Sequence, residues 1–285
     1  MAKRSFRKAA VWAAALAGCA AFLWWQNNDI TVSSFEYVSP RVDAAFDGYR
    51  IVQISDLHDK AFGAGQSRLL TAVQALEPDA VVITGDLIDS ADGGTQNAQE
   101  FVAGALLLAP VYYVTGNHES RADSYADLRA WLTRAGVTVL DGEKAVLARG
   151  DAGIELLGVG DPEFDKQHAS GAEALAAMRR KLAAMCADGG GLRILLSHRP
   201  ELLSLYAEYG VDIVFCGHAH GGQWRLPFVG GLYAPDQGFF PAYTAGAYTL
   251  GGTTEYVSRG LGSSVFPLRL FNRPELVCVT LRAGE

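Results

Sequence analysis

The chain has 285 residues, of which 49% are hydrophobic and 19% are charged, a balance that excludes an intrinsically disordered protein. Its net charge of −7 would repel a phosphate backbone, so no nucleic-acid partner is expected. The four cysteines are too far apart for a cysteine-rich metal site or a redox pair. The composition therefore predicts a folded globular protein.

Residues 1–28 are basic at first and then apolar. A basic stretch at positions 3–8 precedes an uncharged stretch at positions 9–25, which is just long enough to span a bilayer. The basic flank is expected to stay in the cytoplasm, so an uncleaved anchor would place the remaining chain on the extracytoplasmic face of the membrane. This segment is therefore predicted to be a signal-anchor helix.

Two alternatives would remove this span and export the rest of the chain. Positions 16–19, which end at Cys19, resemble a lipoprotein cleavage box, and positions 3–8 resemble a degenerate twin-arginine export signal. The residues after Cys19 stay strongly apolar, where a mature lipoprotein usually becomes polar. The anchor is therefore the favoured interpretation.

From residue 29 onward, short β-rich runs alternate with amphipathic helices, which predicts one domain over residues 29–285. Apolar residues at helical spacing predict helices around positions 69–76, 101–108, 128–132 and 175–182. Strands separated by helices indicate a layered α/β fold with helices on both faces. The strands are expected at residues 30–38, 50–55, 80–84, 111–115, 154–159, 192–197, 212–216 and 276–281.

The region 221–267 is rich in glycine and proline but keeps many aromatic residues, so it is expected to form loops and short strands that close the sheet. Its aromatic-rich part, 224–248, is expected to pack on the sheet edge; the alternative is the floor of a lipid-accepting groove. His168 lies in a charged stretch and is interpreted as a solvated loop residue.

The other five histidines each lie just after a predicted strand. Because loops that leave the carboxyl ends of neighbouring strands converge on one crevice, these side chains are expected to meet. Imidazole together with carboxylate or amide oxygen suits Zn, Mn or Fe. The candidate ligands are too many for one tetrahedral ion and fit two ions that share an aspartate: Asp56, His58, Asp86, Asn117, His198, His218 and His220.

Taken singly, these residues have simpler explanations. Asp56 could cap the next helix, and Asn117 could stand in a turn. Five such coincidences in one chain would be needed to explain the whole set. The sequence therefore predicts a centre of two divalent metal ions.

The ordered series Asp-x-His, Gly-Asp, Gly-Asn-His-Glu, His and Gly-His-x-His resembles the calcineurin-like metallophosphoesterases over about residues 50–221. Segments 221–223 and 256–262, together with the N-terminal segment, resemble the bacterial membrane-associated phosphodiesterases of YkuE and YaeI type. The resemblance implies a two-sheet β-sandwich flanked by helices, a four-layer α/β/β/α fold. It also implies one ion on Asp56, His58, Asp86 and His220, and another on Asp86, Asn117, His198 and His218.

The same resemblance implies a mechanism. Two ions about 3.5–4 Å apart would bring the pKa of a bridging water toward about 7 and supply a hydroxide nucleophile. His118 would donate a proton to the leaving oxygen or stabilise its charge. Asp89 matches the family position that pairs with this histidine, where a carboxylate would raise the imidazole pKa; the alternative is an ordinary loop residue.

The implied substrate is a phosphodiester or a pyrophosphate. The phosphoprotein phosphatase branch has an arginine directly after the Asp89 position, and here that residue is Ser90. Arg199 and Arg259 are candidate substrate-binding substitutes, and the alternative is that both are surface or helix-start residues. An anchored site near the bilayer makes a lipid-linked or envelope substrate a candidate.

Three alternatives to this hydrolase remain open: a non-catalytic metal-binding scaffold on the same fold, a broad phosphomonoesterase and, least favoured, a nuclease. Degenerate scaffolds lose ligands or the catalytic histidine, and this chain keeps them. No protein partner is identifiable from the sequence.

Overall fold

The computed structural model describes residues 2–91, 94–166, 171–188, 190–263 and 266–284. Two mixed β-sheets form its centre. Their strands, together with four two-residue strands of the region after residue 221, are in chain order β1 (Thr31–Ser39), β2 (Arg50–Ile54), β3 (Ala80–Thr84), β4 (Val111–Val114), β5 (Thr138–Val139), β6 (Glu143–Arg149), β7 (Ala152–Gly158), β8 (Arg193–Leu196), β9 (Ile213–Cys216), β10 (Arg225–Leu226), β11 (Gly230–Gly231), β12 (Tyr233–Ala234), β13 (Gly238–Phe239), β14 (Gly246–Leu250), β15 (Thr253–Val257) and β16 (Glu275–Ala283).

The first sheet has the order β1-β16-β2-β3-β4-β5, and the second has the order β14-β15-β9-β8-β7-β6. The central strands β2, β3 and β4 run parallel to one another, as do β7, β8 and β9. Helix α1 (Ala2–Asn28) precedes the first strand. The other helices connect parallel strands: α2 (Ser67–Gln74), α3 (Gln96–Ala105), α4 (Tyr125–Ala135), α5 (Glu163–Lys166), α6 (Gly171–Met185) and α7 (Leu203–Glu208).

Three apolar cores separate four layers. Between the sheets, side chains such as Val82 of β3 pack against Phe215 of β9. The outer face of the first sheet packs on α2, α3 and α4, and the outer face of the second sheet packs on α6 and α7. The predicted α/β/β/α fold is therefore confirmed.

Burial on both faces explains the continuous apolar runs of the central strands. Ile51 of β2 points into the core between the sheets, and its neighbour Val52 points toward the helices. All eight predicted strands are present, with ends that differ from the predicted ones by no more than two residues. The alternation of strands and helices predicted only a layered fold, and the two-sheet arrangement was predicted from the family resemblance.

Helix α1 contains one segment, Phe6–Asn28, that is long and apolar enough to cross a membrane by length and composition, and very little of it is buried. Its last turn contacts the rest of the protein. The Asn27 Oδ1 atom accepts a hydrogen bond of 2.7 Å from the backbone N–H of Arg269, and Arg68 donates one of 2.6 Å to the carbonyl of Asn28. The end of the apolar helix is therefore held against the domain.

Candidate metal centre

The predicted ligands lie where the carboxyl ends of both sheets meet. Asp56 and His58 follow β2, Asp86 follows β3 and Asn117 follows β4, all in the first sheet. The remaining three follow strands β8 and β9 of the second sheet: His198, His218 and His220. The structure brings the carboxylates and imidazoles of this set into two buried groups.

The first group contains Asp56, His58, Asp86 and His220. The Nε2 atoms of His58 and His220 face each other at 3.2 Å, and His220 Nε2 lies 3.3 Å from Asp56 Oδ1. Two imidazole lone pairs at such a distance repel each other unless a proton or a cation lies between them. Burial, with the nearby charges of His58 and Arg269, holds the pKa of His220 well below its ordinary value, which favours the neutral form that a metal ion needs.

The second group contains Asp86, His198 and His218, with Asn117 beside it. His198 Nε2 lies 3.2 Å from each of three atoms: Asp86 Oδ2, Asn117 Oδ1 and His218 Nδ1. Burial opposes protonation of His198, but the charges of Asp86 and Asp56 raise its pKa to about 10. Burial and the neighbouring Arg199 lower the pKa of His218 to about 4. The second group therefore favours a positive charge at His198 and a neutral imidazole at His218.

Asp86 is the residue common to both groups. Its Oδ1 atom accepts a hydrogen bond of 2.8 Å from the backbone N–H of His118. Its Oδ2 atom lies 3.8 Å from His58 Nε2 and 3.2 Å from His198 Nε2. Burial opposes ionisation, but the His198 imidazole holds the pKa of Asp86 well below its ordinary value. The Oδ2 atom of the ionised Asp86 carboxylate is therefore the oxygen that lies near histidines of both groups.

For three of the four histidines in these groups, the outward nitrogen lies near an oxygen that can accept its hydrogen. His198 Nδ1 lies 2.7 Å from the Thr84 carbonyl, and His218 Nε2 lies 3.0 Å from Asp236 Oδ2. His58 Nδ1 lies 3.5 Å from Asp89 Oδ2. A second hydrogen-bonding group behind a histidine is the usual arrangement at protein metal sites, so the donor set fits two divalent ions.

Five of the candidate metal ligands have an unusual backbone conformation. Asp56, His58, Asp86, His218 and His220 all have positive φ, between 46° and 64°. Residues with side chains rarely adopt this region, and such strain is concentrated at functional sites.

Two glycines leave room for the aspartates. A Cβ atom at Gly116 would lie 2.3 Å from Asp86 Oδ1, and one at Gly217 would lie 2.5 Å from Asp56 Oδ2. Only glycine fits at such distances. The glycines of the Gly-Asn-His-Glu and Gly-His-x-His motifs are therefore explained by close approach of the backbone to a carboxylate.

His118 lies at the edge of the first group, with its ring 4.5 Å from the His58 ring. The backbone N–H of Ser90 donates to His118 Nδ1 at 3.3 Å, so the proton of the neutral ring is on Nε2. Burial lowers the pKa of His118, and this outweighs the opposing charges of Asp86 and Asp89. Asp89 thus acts in the expected direction, but burial has the larger effect and the pKa of His118 is lowered.

Asp89 lies between two histidines. Its Oδ1 atom is 3.6 Å from His118 Nδ1, and its Oδ2 atom is 3.5 Å from His58 Nδ1. The His58 imidazole is the main cause that lowers the pKa of Asp89 to about 2. The carboxylate is thus ionised and faces the site, and its pairing with His118 stays a prediction.

The two arginines are held by carboxylates. Arg199 is buried and forms two bonds to Asp161, of 2.5 and 2.9 Å, and it also contacts Asp236 and His218. The Arg259 Nε atom lies 3.4 Å from Glu275 Oε1. Arg199 is therefore placed to fix the surroundings of His218, and a substrate role for either arginine stays a prediction. His168 lies outside the described residues.

Sequence reasoning assigned no role to Glu119, although the residue stands in the Gly-Asn-His-Glu motif. Its buried carboxylate accepts backbone hydrogen bonds of 2.9, 2.7 and 2.7 Å from Asp86, Leu87 and Gly116. Burial and the charge of Asp86 raise its pKa to about 7. Glu119 thus ties the loop after β3 to the loop after β4 and fixes the backbone of Asp86.

Sequence reasoning also missed Arg269, which is fully buried. Its Nη1 atom donates to the carbonyl of Arg259 at 2.9 Å, and its Nη2 atom lies 3.4 Å from His220 Nδ1. Burial lowers its pKa to about 10. Because its backbone N–H binds Asn27, this residue connects the end of α1 to the first group.

Comparison with known proteins places this geometry in context. The sequence profile described as calcineurin-like phosphoesterase matches residues 49–222. The chain is 30% identical to the uncharacterized metallophosphoesterase YkuE of Bacillus subtilis, over 86% of this chain and 83% of that protein. It is 29% identical to the phosphodiesterase YaeI of Escherichia coli, over 82% of each. It is 30% identical to a Bos taurus transmembrane protein with metallophosphoesterase domain, over 89% of this chain and 57% of that protein.

Proposed function

Because this chain belongs to the calcineurin-like phosphoesterase family, whose members are phosphoric ester hydrolases with a divalent metal centre, we propose that it hydrolyses phosphodiester or pyrophosphate bonds. The observation that carries the proposal is the pair of buried ligand groups that share Asp86. Asp56, His58, Asp86 and His220 would hold one ion, and Asp86, Asn117, His198 and His218 would hold the other. Zn, Mn and Fe all suit these ligands.

Two divalent ions at these ligands would supply a water activated as a nucleophile at neutral pH and would offset the negative charge of the phosphate. The remaining roles belong to side chains of the protein. One oxygen of Asp86 accepts the His118 N–H, so the other would be available as a ligand. As the new P–O bond forms and the bond to the leaving group breaks, His118 Nε2–H donates a hydrogen bond to the leaving oxygen.

The residues at positions 90 and 199 support the choice of a diester. A phosphomonoester dianion is best held by a bidentate arginine. The position after Asp89 is Ser90, which binds His118, and Arg199 is engaged by Asp161. The name of the relative YaeI, a phosphodiesterase, supports the same choice.

Turnover with and without metal tests this proposal. The purified protein is expected to hydrolyse bis-p-nitrophenyl phosphate, to lose this activity on dialysis against a chelator, and to regain it with Mn, Zn or Fe. At metal concentrations about a hundredfold above Kd, each bound ion should raise Tm by roughly 5–10 °C. The measurements are initial rates, elemental analysis and thermal unfolding.

Other outcomes of that test point to other functions. Stoichiometric metal without turnover would indicate a binding scaffold. Faster hydrolysis of p-nitrophenyl phosphate than of its diester would indicate a phosphomonoesterase. Folded protein that binds no metal would overturn the proposal altogether.

We further propose that α1 remains uncleaved and that the catalytic domain lies on the extracytoplasmic face. The apolar span Phe6–Asn28 and the basic residues before it support this orientation. In intact cells, a cysteine introduced at Asn28 in a variant lacking Cys19 is expected to react with a membrane-impermeant thiol reagent. Labelling only after lysis would reverse the orientation, and loss of residues 2–28 from the mature protein would indicate cleavage.

A further inference from the structure

An apolar cavity of about 520 Å³ lies beside the candidate metal centre. We call it the apolar cleft, and define it by the side chains of Trp224, Leu232, Tyr233, Pro235, Phe239 and Phe266. The Tyr233 ring lies edge-on to those of Phe239 and Phe266, with centroids 5.4 and 6.4 Å apart. A cleft of this size with aromatic walls suits an apolar ligand.

Two residues that line the cleft lie close in the chain to candidate metal ligands or their partners. Gln223, which also lines the cavity, donates its N–H to the His220 carbonyl at 3.0 Å. Pro235, another lining residue, precedes Asp236, whose Oδ2 atom lies 3.0 Å from His218 Nε2. A ligand in the cleft would therefore lie next to both groups of metal-binding side chains.

The segment 268–271 contacts both a wall residue of the cleft and the apolar helix α1. Trp224 donates its Nε1–H to the Leu268 carbonyl at 2.9 Å and forms an isolated β-bridge with Leu270. The next residue, Phe271, has its ring edge-on to that of Phe22 in α1, 5.8 Å between centroids. The segment 268–271 thus joins the wall of the cleft to the apolar helix.

The surface around this junction is unusually apolar. Phe228 is fully exposed, and Phe239 and Phe240 are 73% and 65% exposed. Large exposed aromatic side chains in one region are typical of a membrane or binding surface, and aromatic residues favour the membrane interface. If α1 spans a bilayer, these exposed side chains would lie near its surface, because Phe271 in the same region contacts Phe22 of α1.

We propose that the apolar cleft binds the hydrocarbon chain of a membrane lipid whose phosphodiester or pyrophosphate lies at the candidate metal centre. The proposal rests on the proposed function and names its substrate class. The sequence favoured the edge of the sheet as the packing site of segment 224–248, whereas the cavity supports the alternative, a groove for lipid.

A pair of synthetic diesters tests the cleft. The full chain in lipid nanodiscs is assayed with methyl p-nitrophenyl phosphate and with octyl p-nitrophenyl phosphate. Each methylene that becomes buried increases binding by about fourfold, so kcat/KM for the octyl ester should exceed that for the methyl ester by on the order of a hundredfold or more. The ratio is taken within one preparation and so does not depend on the fraction of active enzyme.

The matched variants are Phe239→Asp and Leu107→Asp. Both replace a highly exposed apolar side chain, but Leu107, which is 86% exposed, follows α3 on the helical layer over the first sheet. Phe239→Asp is expected to bring the octyl-to-methyl ratio close to one, and Leu107→Asp to leave it as in the wild type. Equal ratios in all three proteins would overturn the cleft as the binding site.

The two proposals fail in different ways. If the wild type hydrolyses both esters with equal kcat/KM, the lipid-chain proposal is wrong and the phosphodiesterase proposal stands. If neither ester is hydrolysed, the phosphodiesterase proposal fails. Equilibrium dialysis of the octyl ester then tests whether the apolar cleft binds the octyl chain. Binding that is weakened by Phe239→Asp alone supports the cleft, and binding that is unaffected overturns it.

Discussion

Asp86→Asn is expected to lower kcat/KM for bis-p-nitrophenyl phosphate by about a thousandfold or more and to reduce metal content below two ions per chain. The substitution removes the charge from the one oxygen that faces His58 and His198. Metal ions contribute several kcal/mol of charge stabilisation in the transition state, and about 1.4 kcal/mol corresponds to a tenfold change in rate. Steady-state kinetics and elemental analysis of the same preparation measure both effects.

Asp212→Asn is the matched control, because Asp212 is also a buried carboxylate but lies before β9, at the opposite end of that strand from His218. It forms an ion pair with Arg41 and accepts the Arg193 N–H. This variant should lose stability without losing metal. Two ions and activity within tenfold of wild type in Asp86→Asn would show that the two groups do not share this ligand.

Most central strands could be predicted because their residues are buried on both faces. The central strand β15 was not among them, since Thr253, Thr254 and Glu255 interrupt its apolar run. The edge strand β6, in which only Leu147 is buried, was not predicted, and the mostly exposed β14, like β15, was covered only by the short strands expected in region 221–267. The helices α2 and α3 end before Leu76 and Leu108, yet both leucines still pack in the core of the first sheet. Burial extends the apolar pattern past the end of the hydrogen-bonded helix.

The motif residues could be found because each stands at the end of a recognisable strand, and the family resemblance that they carry is confirmed by the match over residues 49–222. The residues that contact these motif residues from the side away from the centre do not follow a strand in this way. Arg269 lies 49 residues after His220, and Arg199 meets Asp161 across 38 residues. Only the packing of the loops around the centre brings these side chains together, so neighbouring residues give no indication of their role.

The pKa of His118 could not be predicted from the sequence. A carboxylate partner was expected to raise it, and Asp89 does lie near the ring, but burial of the imidazole has the larger effect. Sequence identifies the partner residues and does not give the balance between burial and charge. The neutral ring, with its proton on Nε2, is the form that the structure favours for hydrogen bonding to a leaving oxygen.

His118→Asn should therefore lower kcat by about 10²- to 10⁴-fold while metal content stays at the wild-type value, because no candidate metal contact is removed. Asn117 and the backbone N–H that binds Asp86 are unchanged by the substitution. Help for the leaving oxygen matters most when that oxygen is a poor leaving group. The loss should thus be larger for a diester that releases an unsubstituted phenol than for one that releases p-nitrophenol.

Comparison of these two leaving groups separates chemistry from positioning. Ser90→Ala is the companion variant, since it removes the hydroxyl 3.2 Å from His118 Nδ1 and keeps the backbone N–H that orients the ring. It should reduce kcat far less and preserve the dependence on leaving group. Full activity of His118→Asn would refute a role for the imidazole, whereas an equal loss with both leaving groups would mean that His118 positions the site without assisting the departing oxygen.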